Sequence, residues 1–351
     1  MATKRAIEKR KDEHLDLCVN EDVEPRAQST LLECVHLVHR SLPELALEEI
    51  DLSTRLCGTI LRAPIVITGM TGGTERADAI NRDLVSLAEK HGLAFGVGSQ
   101  RISSEGAARA ASFQLRVIAK TALVLGNIGV TQAAKLGTDG VEALMDSIGA
   151  DALCVHLNPA QELIQPGGDR DFRGGEAAIA NLAARLGERL VVKETGAGIS
   201  PRTARRLFDL GVRTIDVSGA GGTSWTRVET LRTEGEARAL GELFSAWGTP
   251  TAACVAGIGG GGLAVIGSGG VRNGLDVAKV IALGARAAGM ALPFLRAHQN
   301  GGIVAAETLV RSTLDALRTA MLLTGSRDIA ALQASKPVIT GALREWIEGL
   351  A

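Results

Sequence analysis

Eight short apolar runs punctuate the chain, at 64–68, 93–97, 122–127, 152–158, 190–194, 214–219, 263–270 and 287–293. None alternates polar with apolar positions, which is the pattern of strands buried on both faces. Between the runs the spacing turns helical. Ile80, Leu84, Leu87 and His91 share one helix face, with Gly92 placed as a C-cap, and Val310, Leu314, Leu317 and Met321 repeat the stepping ahead of Gly325. Eight buried strands alternating with helices predict an α/β fold, the (β/α)8 TIM barrel, with a doubly wound open sheet as its competitor. Position favours the barrel. Thr68, Ser99, Asn127, His156, Lys193 and Ser218 fall at or just after the carboxyl ends of six different runs, and a closed barrel gathers those ends at one mouth. The expected division is an N-terminal arm over 1–60, packed over the mouth or a neighbouring subunit, and a barrel with C-terminal helices over 61–351.

Charge and composition narrow the class. With 38 Lys+Arg against 39 Asp+Glu the net charge is −1, which excludes a broad electrostatic footprint for nucleic acid or an anionic membrane. Glycine is abundant, 43 of 351 residues, while aromatics are 3% and Tyr is absent. That balance suits close backbone approaches better than a base-stacking surface. Cys18, Cys34, Cys57, Cys154 and Cys254 are scattered and form no CxxC. They make neither a disulfide framework nor a zinc site and point to a reducing cytoplasm. The charged start MATKRAIEKRKDEHLD lacks the apolar core of a signal peptide. Leu243 through Val271 carries no charge but is broken by nine glycines and Pro250, so it reads as strand and loop and not as a membrane span.

Candidate chemistry sits in the glycine loops. GSGGVRNGLD, at 267–276, runs a buried strand into glycines and opens a helix near Asn273. Main-chain N–H groups and a helix start at strand seven of a barrel are a place for a phosphate, completed by the turn at 289–293. TGMTGG (68–73), GVGSQR (96–101) and SGAGGTSW (218–225) share the same mouth. Lys193 ends a buried strand, where an ammonium needs a charge to meet. An ion pair with Glu194, a Schiff-base nucleophile and a partner for an anionic cofactor ring are the three readings, and the phosphate loop favours the last. HLNPAQE, at 156–162, places His156, Asn158, Gln161 and Glu162 at one strand end. Glu162 suits a hard cation such as Mg²⁺ whose site is completed by substrate oxygens. KRKDEH at 9–14 is either a solvated charge run or a second phosphate clamp.

Taken in order, RKDEH (10–14), TGMTGG (68–73), GVGSQR (96–101), HLNPAQE (156–162), KETGAG (193–198), GAGGTSW (219–225) and GSGGVRNGLD (267–276) carry a resemblance. The chain resembles the type 2 isopentenyl-diphosphate isomerases, the flavin-dependent class, from the arm to the last helix. The resemblance implies a TIM barrel that interconverts isopentenyl and dimethylallyl diphosphate. It also implies FMN kept reduced by NADPH, Mg²⁺ on the diphosphate, and assembly as homo-oligomers, tetramers or octamers. On this chain it places FMN against Thr68, Met70, Thr71, Gly72, Ser99, Asn127, Lys193, Ser218 and Thr223. The FMN phosphate falls on Gly270, Val271 and Arg272 with Ala291 and Leu292. Substrate diphosphate falls on Arg10, Lys11, His14, Ser99, Gln100, Arg101, His156 and Asn158. Gln161 and His156 are the catalytic candidates, with Gln161 facing the allylic carbons, Glu162 holding Mg²⁺ and Trp225 beside the isoprenoid tail. One segment departs from the family: CVAGIGGGG at 254–262 replaces a charged helix and puts a local helix in doubt.

Moving a double bond needs one proton delivered and another removed, with no net redox change. No acid–base pair stands among the motifs at the apolar end, and an amide such as Gln161 is a poor acid or base. A reduced flavin supplies the missing proton transfer in this reading. The rivals need other residues. A 2-hydroxy-acid oxidase on the same barrel needs a late His base, and no His lies between His156 and His298. An inosinate-type oxidoreductase needs a catalytic Cys in a mobile loop, whereas Cys154 and Cys254 lie in apolar runs. A flavin-binding scaffold has no use for RKDEH, Gln161 and Glu162 together.

Overall fold

The structure is a computed structural model describing residues 4–350 apart from 26, 71, 73, 101–114 and 260, with side chains from Lys9 onward. Helix α1 (Lys4–Asn20) comes first, followed by the short strand β1 (Val35–His36) and a hairpin of β2 (Thr54–Leu56) and β3 (Thr59–Leu61). The eight apolar runs are strands: β4 (Ile65–Ile67), β5 (Ala94–Gly96), β6 (Leu123–Gly129), β7 (Ala152–His156), β8 (Leu190–Lys193), β9 (Thr214–Asp216), β10 (Ala264–Ser268) and β11 (Ala287–Met290). They form a closed parallel barrel in chain order, with β11 pairing back to β4 through Gly289 and Val66. The open-sheet competitor is excluded. Nearly every strand residue is buried, which is why the runs lack alternation.

The barrel floor explains the hairpin. Leu56, Cys57 and Leu61 join one apolar cluster with Ala94, Leu123 and Ala152, the first residues of three barrel strands. The hairpin therefore plugs the amino-terminal end, and the cleft opens at the other.

Helix α2 (Glu75–His91) shows how sequence sets the outer ring. The Thr74 side chain accepts from Ala77 N, Ile80, Leu84 and Leu87 face inward, and Gly92 ends the helix in the left-handed conformation. Around the barrel follow α3 (Val130–Ile148), α4 (Pro159–Ile164), α5 (Gly175–Leu186), α6 (Pro201–Asp209), α7 (Trp225–Leu231), α8 (Gly235–Phe244), α9 (Thr251–Ile258), α10 (Gly274–Ala282) and α11 (Leu292–Leu323). The chain closes with α12 (Ile329–Gln333), strand β12 (Val338–Ile339) and α13 (Gly341–Leu350).

Helix α9 corrects the strand-and-loop reading of 243–271 and the doubt over 254–262. Ala252, Ala253, Cys254 and Val255 are fully buried, packed between α6, β10 and the terminal α13. A helix covered on all sides needs no charged face, and its small residues admit the close neighbours. Among the described residues no helix is long and apolar enough to cross a membrane.

Helix α1 packs against α7 and α11. The chain after it runs back over the β9 loop and the start of α9: Ser224 N donates to Val23 O at 3.0 Å and Ala252 N to Thr30 O at 3.0 Å. β1 then pairs antiparallel with β12, Val35 opposite Ile339.

Candidate active site

The carboxyl ends of the strands open into a cleft of about 1240 Å³, adjoining open solvent included. The arm contributes Arg10, Lys11 and His14; the early loops contribute Met70, Gly72 and Ser99. Asn127, His156 and Lys193 rise from β6, β7 and β8, Asn158 caps α4, which carries Gln161 and Glu162, and Thr223, Trp225, Ala291 and Leu292 complete the lining. Thr71 and Arg101 lie outside the described residues. Thr68, Gln100, Ser218, Gly270, Val271 and Arg272 do not line the cleft.

Gln100 has a different place from the one expected of it. It is fully buried, its Oε1 accepting from Asn127 N at 2.9 Å and its amide reaching Leu144 O at 3.4 Å. It braces Asn127 from behind. Asn127 in turn donates to Val97 O at 3.0 Å, and its Oδ1 lies 2.8 Å from His156 Nδ1. Because an amide oxygen only accepts, Nδ1 carries the proton, leaving Nε2 of a neutral ring as the acceptor.

Lys193 does not form the ion pair with the Glu194 carboxylate that was one reading of KETGAG. Its ammonium donates to Glu194 main-chain O at 2.5 Å. The Glu194 carboxylate turns away into three main-chain N–H groups, from Thr195, Gly196 and Ala197, at 2.5–2.7 Å. Burial pushes the Glu194 carboxyl up, against the pull of those bonds and of Lys193. Asp216, paired in register with Lys193 on the next strand, is also raised by burial, with Lys193 and the Ser268 hydroxyl opposing. A lysine here keeps its head at the cleft among fixed dipoles.

The arm docks on a residue absent from every sequence motif. Glu229 of α7 is fully buried, and its Oε1 receives His14 Nε2 at 2.8 Å while Oε2 receives Arg232 Nη1 at 2.6 Å. Gln161 Nε2 lies 3.5 Å from the same Oε1. The Gln165 amide, turned so that each end meets its complement, donates to Glu229 at 3.1 Å and accepts from Arg10 Nη1 at 3.1 Å. Burial pushes the Glu229 carboxyl up, but the bond and charge of His14 and of Arg232 outweigh it and hold it below the ordinary range. Burial lowers His14, with Glu229 opposing and Arg232 and Arg10 reinforcing. Trp225, one helical turn before Glu229, meets the His14 ring edge-on at 5.1 Å. That spacing was the available signal: residues four apart share a helix face. Lys11 donates to Gly72 O at 2.5 Å and Ser99 O at 3.1 Å. Burial, then the Arg10 charge, lowers it to about 8 against Asp78.

Beside the cleft, the loops after β9 and β10 interlock. A side chain on Gly222 would stand 2.2 Å from Gly270 N, and Gly269 and Gly270 take φ of +93° and +74°. Only glycines allow this approach and these dihedrals. The Asn273 side chain caps α10 by accepting from Leu275 N and Asp276 N. Arg272 pairs with Glu24 of the arm, and burial, then Arg296, lowers its guanidinium to about 10 against Asp276. Crowded backbone, a helix start and a half-buried arginine fit a phosphate.

Glu162 is buried with its oxygens in unlike settings. Oε2 receives Asp169 N at 2.7 Å, and Oε1 receives Asn158 Nδ2 at 3.1 Å. Among the described residues no group of three or more His, Cys, Asp or Glu side chains is assembled to hold a metal. One fixed carboxylate facing the cleft fits a cation that brings its remaining ligands with the substrate.

Fold and site define a (β/α)8 barrel of the FMN-dependent dehydrogenase family, whose sequence pattern matches residues 163–338. Solved structures share that fold: a flavocytochrome b2 with sulfite bound has a TM-score of 0.68 at 16% identity, covering 96% of this chain and 84% of that one. A lactate oxidase of Pediococcus acidilactici has a TM-score of 0.67 at 14% identity over 97% and 96%. The sequence relatives are nearer. Isopentenyl-diphosphate delta-isomerase of Aeropyrum pernix is 44% identical over 97% of this chain and 92% of its own length. That of Stutzerimonas stutzeri is 42% identical over 95% and 98%. The chain belongs to the isopentenyl-diphosphate delta-isomerase family.

Proposed function

We propose that this cleft interconverts isopentenyl and dimethylallyl diphosphate, with reduced FMN, Mg²⁺ and a closed arm. A proton adds to the terminal alkene carbon and another leaves the allylic carbon, so bonds and charge balance without net oxidation. The observation that carries the reading is the convergence on Glu229 of His14 from the arm and Gln161 from α4. Closure of the arm and orientation of the Gln161 amide thereby become one event.

The basic face of α1, with Arg10, Lys11 and His14, binds the diphosphate together with Ser99, Arg101, His156 and Asn158. Gln100 serves by fixing Asn127, which fixes the His156 tautomer and leaves Nε2 able to share a phosphate proton. Glu162 holds Mg²⁺ on the diphosphate. Trp225 and the apolar Leu292 keep water from the isoprenoid carbons. The residues fit FMN on two counts, the glycine cradle beside Arg272 and the buried ammonium of Lys193. Thr68, Met70, Thr71, Gly72, Ser99, Asn127, Ser218 and Thr223 hold the ring, and Gly270, Val271, Arg272, Ala291 and Leu292 hold its phosphate. Bound and reduced, FMN supplies an ionisable ring edge for proton transfer. Lys193 stabilises negative charge on that ring, and Gln161 fixes the alkene. NADPH as reductant, a cytoplasmic setting and assembly as tetramers or octamers complete the proposal, by resemblance.

The test is product formation from isopentenyl diphosphate by flavin-loaded protein with Mg²⁺ and NADPH. Oxidation of lactate or mandelate by the same sample, without isomerisation, would reassign the cleft to 2-hydroxy acids.

A further inference from the structure

The loop that follows α4 is built around the Glu162 carboxylate. Chain turns back at 166–170, Pro-Gly-Gly-Asp-Arg, with Gly168 N bonded to Gln165 O at 3.0 Å. The return brings Asp169 N to 2.7 Å from Glu162 Oε2, and Arg170 Nη1 to 2.5 Å from Glu162 O. Gly168 makes the wrap fit: a side chain there would stand 2.1 Å from Glu162 O and 2.8 Å from its Oε2.

The Asp169 side chain anchors the loop to the start of α3. Its Oδ2 accepts from Thr131 Oγ1 at 2.7 Å and from Gln132 Nε2 at 3.0 Å, and Lys135 Nζ lies 3.7 Å from Oδ1. Gln132 itself lines the cleft, and its Oε1 lies over Gly129, the residue paired in register with His156. One aspartate thus connects, through its side chain, the helix beside the diphosphate candidates and, through its amide, the metal candidate. A carboxylate whose far oxygen is clamped by an N–H presents its other oxygen in one direction. Outer partners of this kind orient metal ligands and typically weigh about 10- to 100-fold in metal affinity.

We propose that Asp169 is a positioning residue for the metal: it locks the 166–170 loop so that Glu162 meets the cation bound to the diphosphate with one orientation. The proposal rests on the assignment of Glu162 as the Mg²⁺ ligand and deepens it.

Mn²⁺ is titrated by electron paramagnetic resonance into FMN-loaded protein holding inorganic diphosphate, and the Mg²⁺ dependence of turnover is measured in parallel. Asp169→Ala should raise half-saturation for both metals about 10- to 100-fold, with unchanged flavin content and Tm and with turnover recovered at high Mg²⁺. Asp169→Asn, which keeps an acceptor for Thr131, should recover most of the affinity. Should Asp169→Ala fail to fold, Gly168→Ala takes its place, since its added carbon pushes the loop off Glu162. Glu162→Gln separates the two claims. If it abolishes Mn²⁺ binding while the Asp169 and Gly168 variants bind normally, the positioning role is overturned and the ligand assignment stands. If Glu162→Gln binds Mn²⁺ like the wild type, both are overturned.

Discussion

His14 and Glu229, separated by most of the barrel in sequence, meet with Nε2 2.8 Å from Oε1. The carboxylate only accepts, so the imidazole donates, and the arm is latched to the sixth-strand loop by a bond with little water around it. Arg232 on the opposite oxygen reaches back to Glu13 of the same arm at 2.9 Å. The latch has two tines on one carboxylate.

Glu229→Gln should therefore loosen the arm. A hydrogen bond to a charged group contributes about 1.5–3 kcal/mol, so kcat/KM for isopentenyl diphosphate is expected to fall roughly 10- to 100-fold. Flavin affinity should be unchanged. Steady-state kinetics beside a flavin titration checks this, and a variant with normal kcat/KM removes Glu229 from the latch.

Acid should open the same latch. His14 is held below 6.5 in the folded protein, so its contribution is complete above pH 6.5 and is lost as pH falls through the lowered value. Glu229 is likewise depressed, its contribution present above about 4.5 and lost at lower pH. Arm release should begin below pH 6.5 and finish in the carboxylate range. Trp225 fluorescence, read against a Trp225→Phe control, should change before global unfolding; coincident transitions would count against a separable arm.

Lys11 carries a prediction of opposite sign. Its ammonium lies at about 8 in the free protein, and an arriving diphosphate favours the charged form. Binding should take up about half a proton at pH 8 and close to one near pH 9, and affinity should weaken as pH rises further. Calorimetry in buffers of different ionisation enthalpy measures the uptake, which Lys11→Met should abolish.

Glu162→Gln removes the candidate Mg²⁺ ligand, a buried carboxylate that lines the cleft. The Mg²⁺ requirement should rise at least about tenfold, while the flavin spectrum stays as it was. Wild-type Mg²⁺ dependence would clear Glu162 of the metal.

The flavin released by heat should have the mass of FMN. The glycine cradle beside the half-buried Arg272 provides for a single phosphate, and GIGGGG at 257–262 begins in the last turn of helix α9 instead of after a strand. Recovery of FAD would contradict the reading.

The eight strands were legible because strands buried on both faces leave unbroken apolar runs, and the mouth was legible because polar residues end those runs. Glu229 left only its four-residue spacing from Trp225 as a signal, since a lone carboxylate acquires meaning only when His14 packs on it. Helix α9 escaped for the opposite reason: buried all round, it has no polar face to give a period. Gln100 shows the limit of motif reading, for a polar residue in a glycine loop can support the wall as readily as touch a ligand. The backward turn of 166–170 was not legible, because nothing in Gly-Gly-Asp-Arg names the carboxylate it embraces.

The two-residue pairing of Val35–His36 with Val338–Ile339 gives the arm a fixed root. An α1 released from the mouth would stay tethered, and a short tether keeps its partner at an effective concentration of about millimolar. Reclosing is therefore a local swing, fast compared with any encounter between separate molecules. A free peptide copying residues 4–20 could not displace the native arm at micromolar doses. Cutting the chain between Asn20 and Thr30 would turn the clamp from a hinged part into a dissociable ligand.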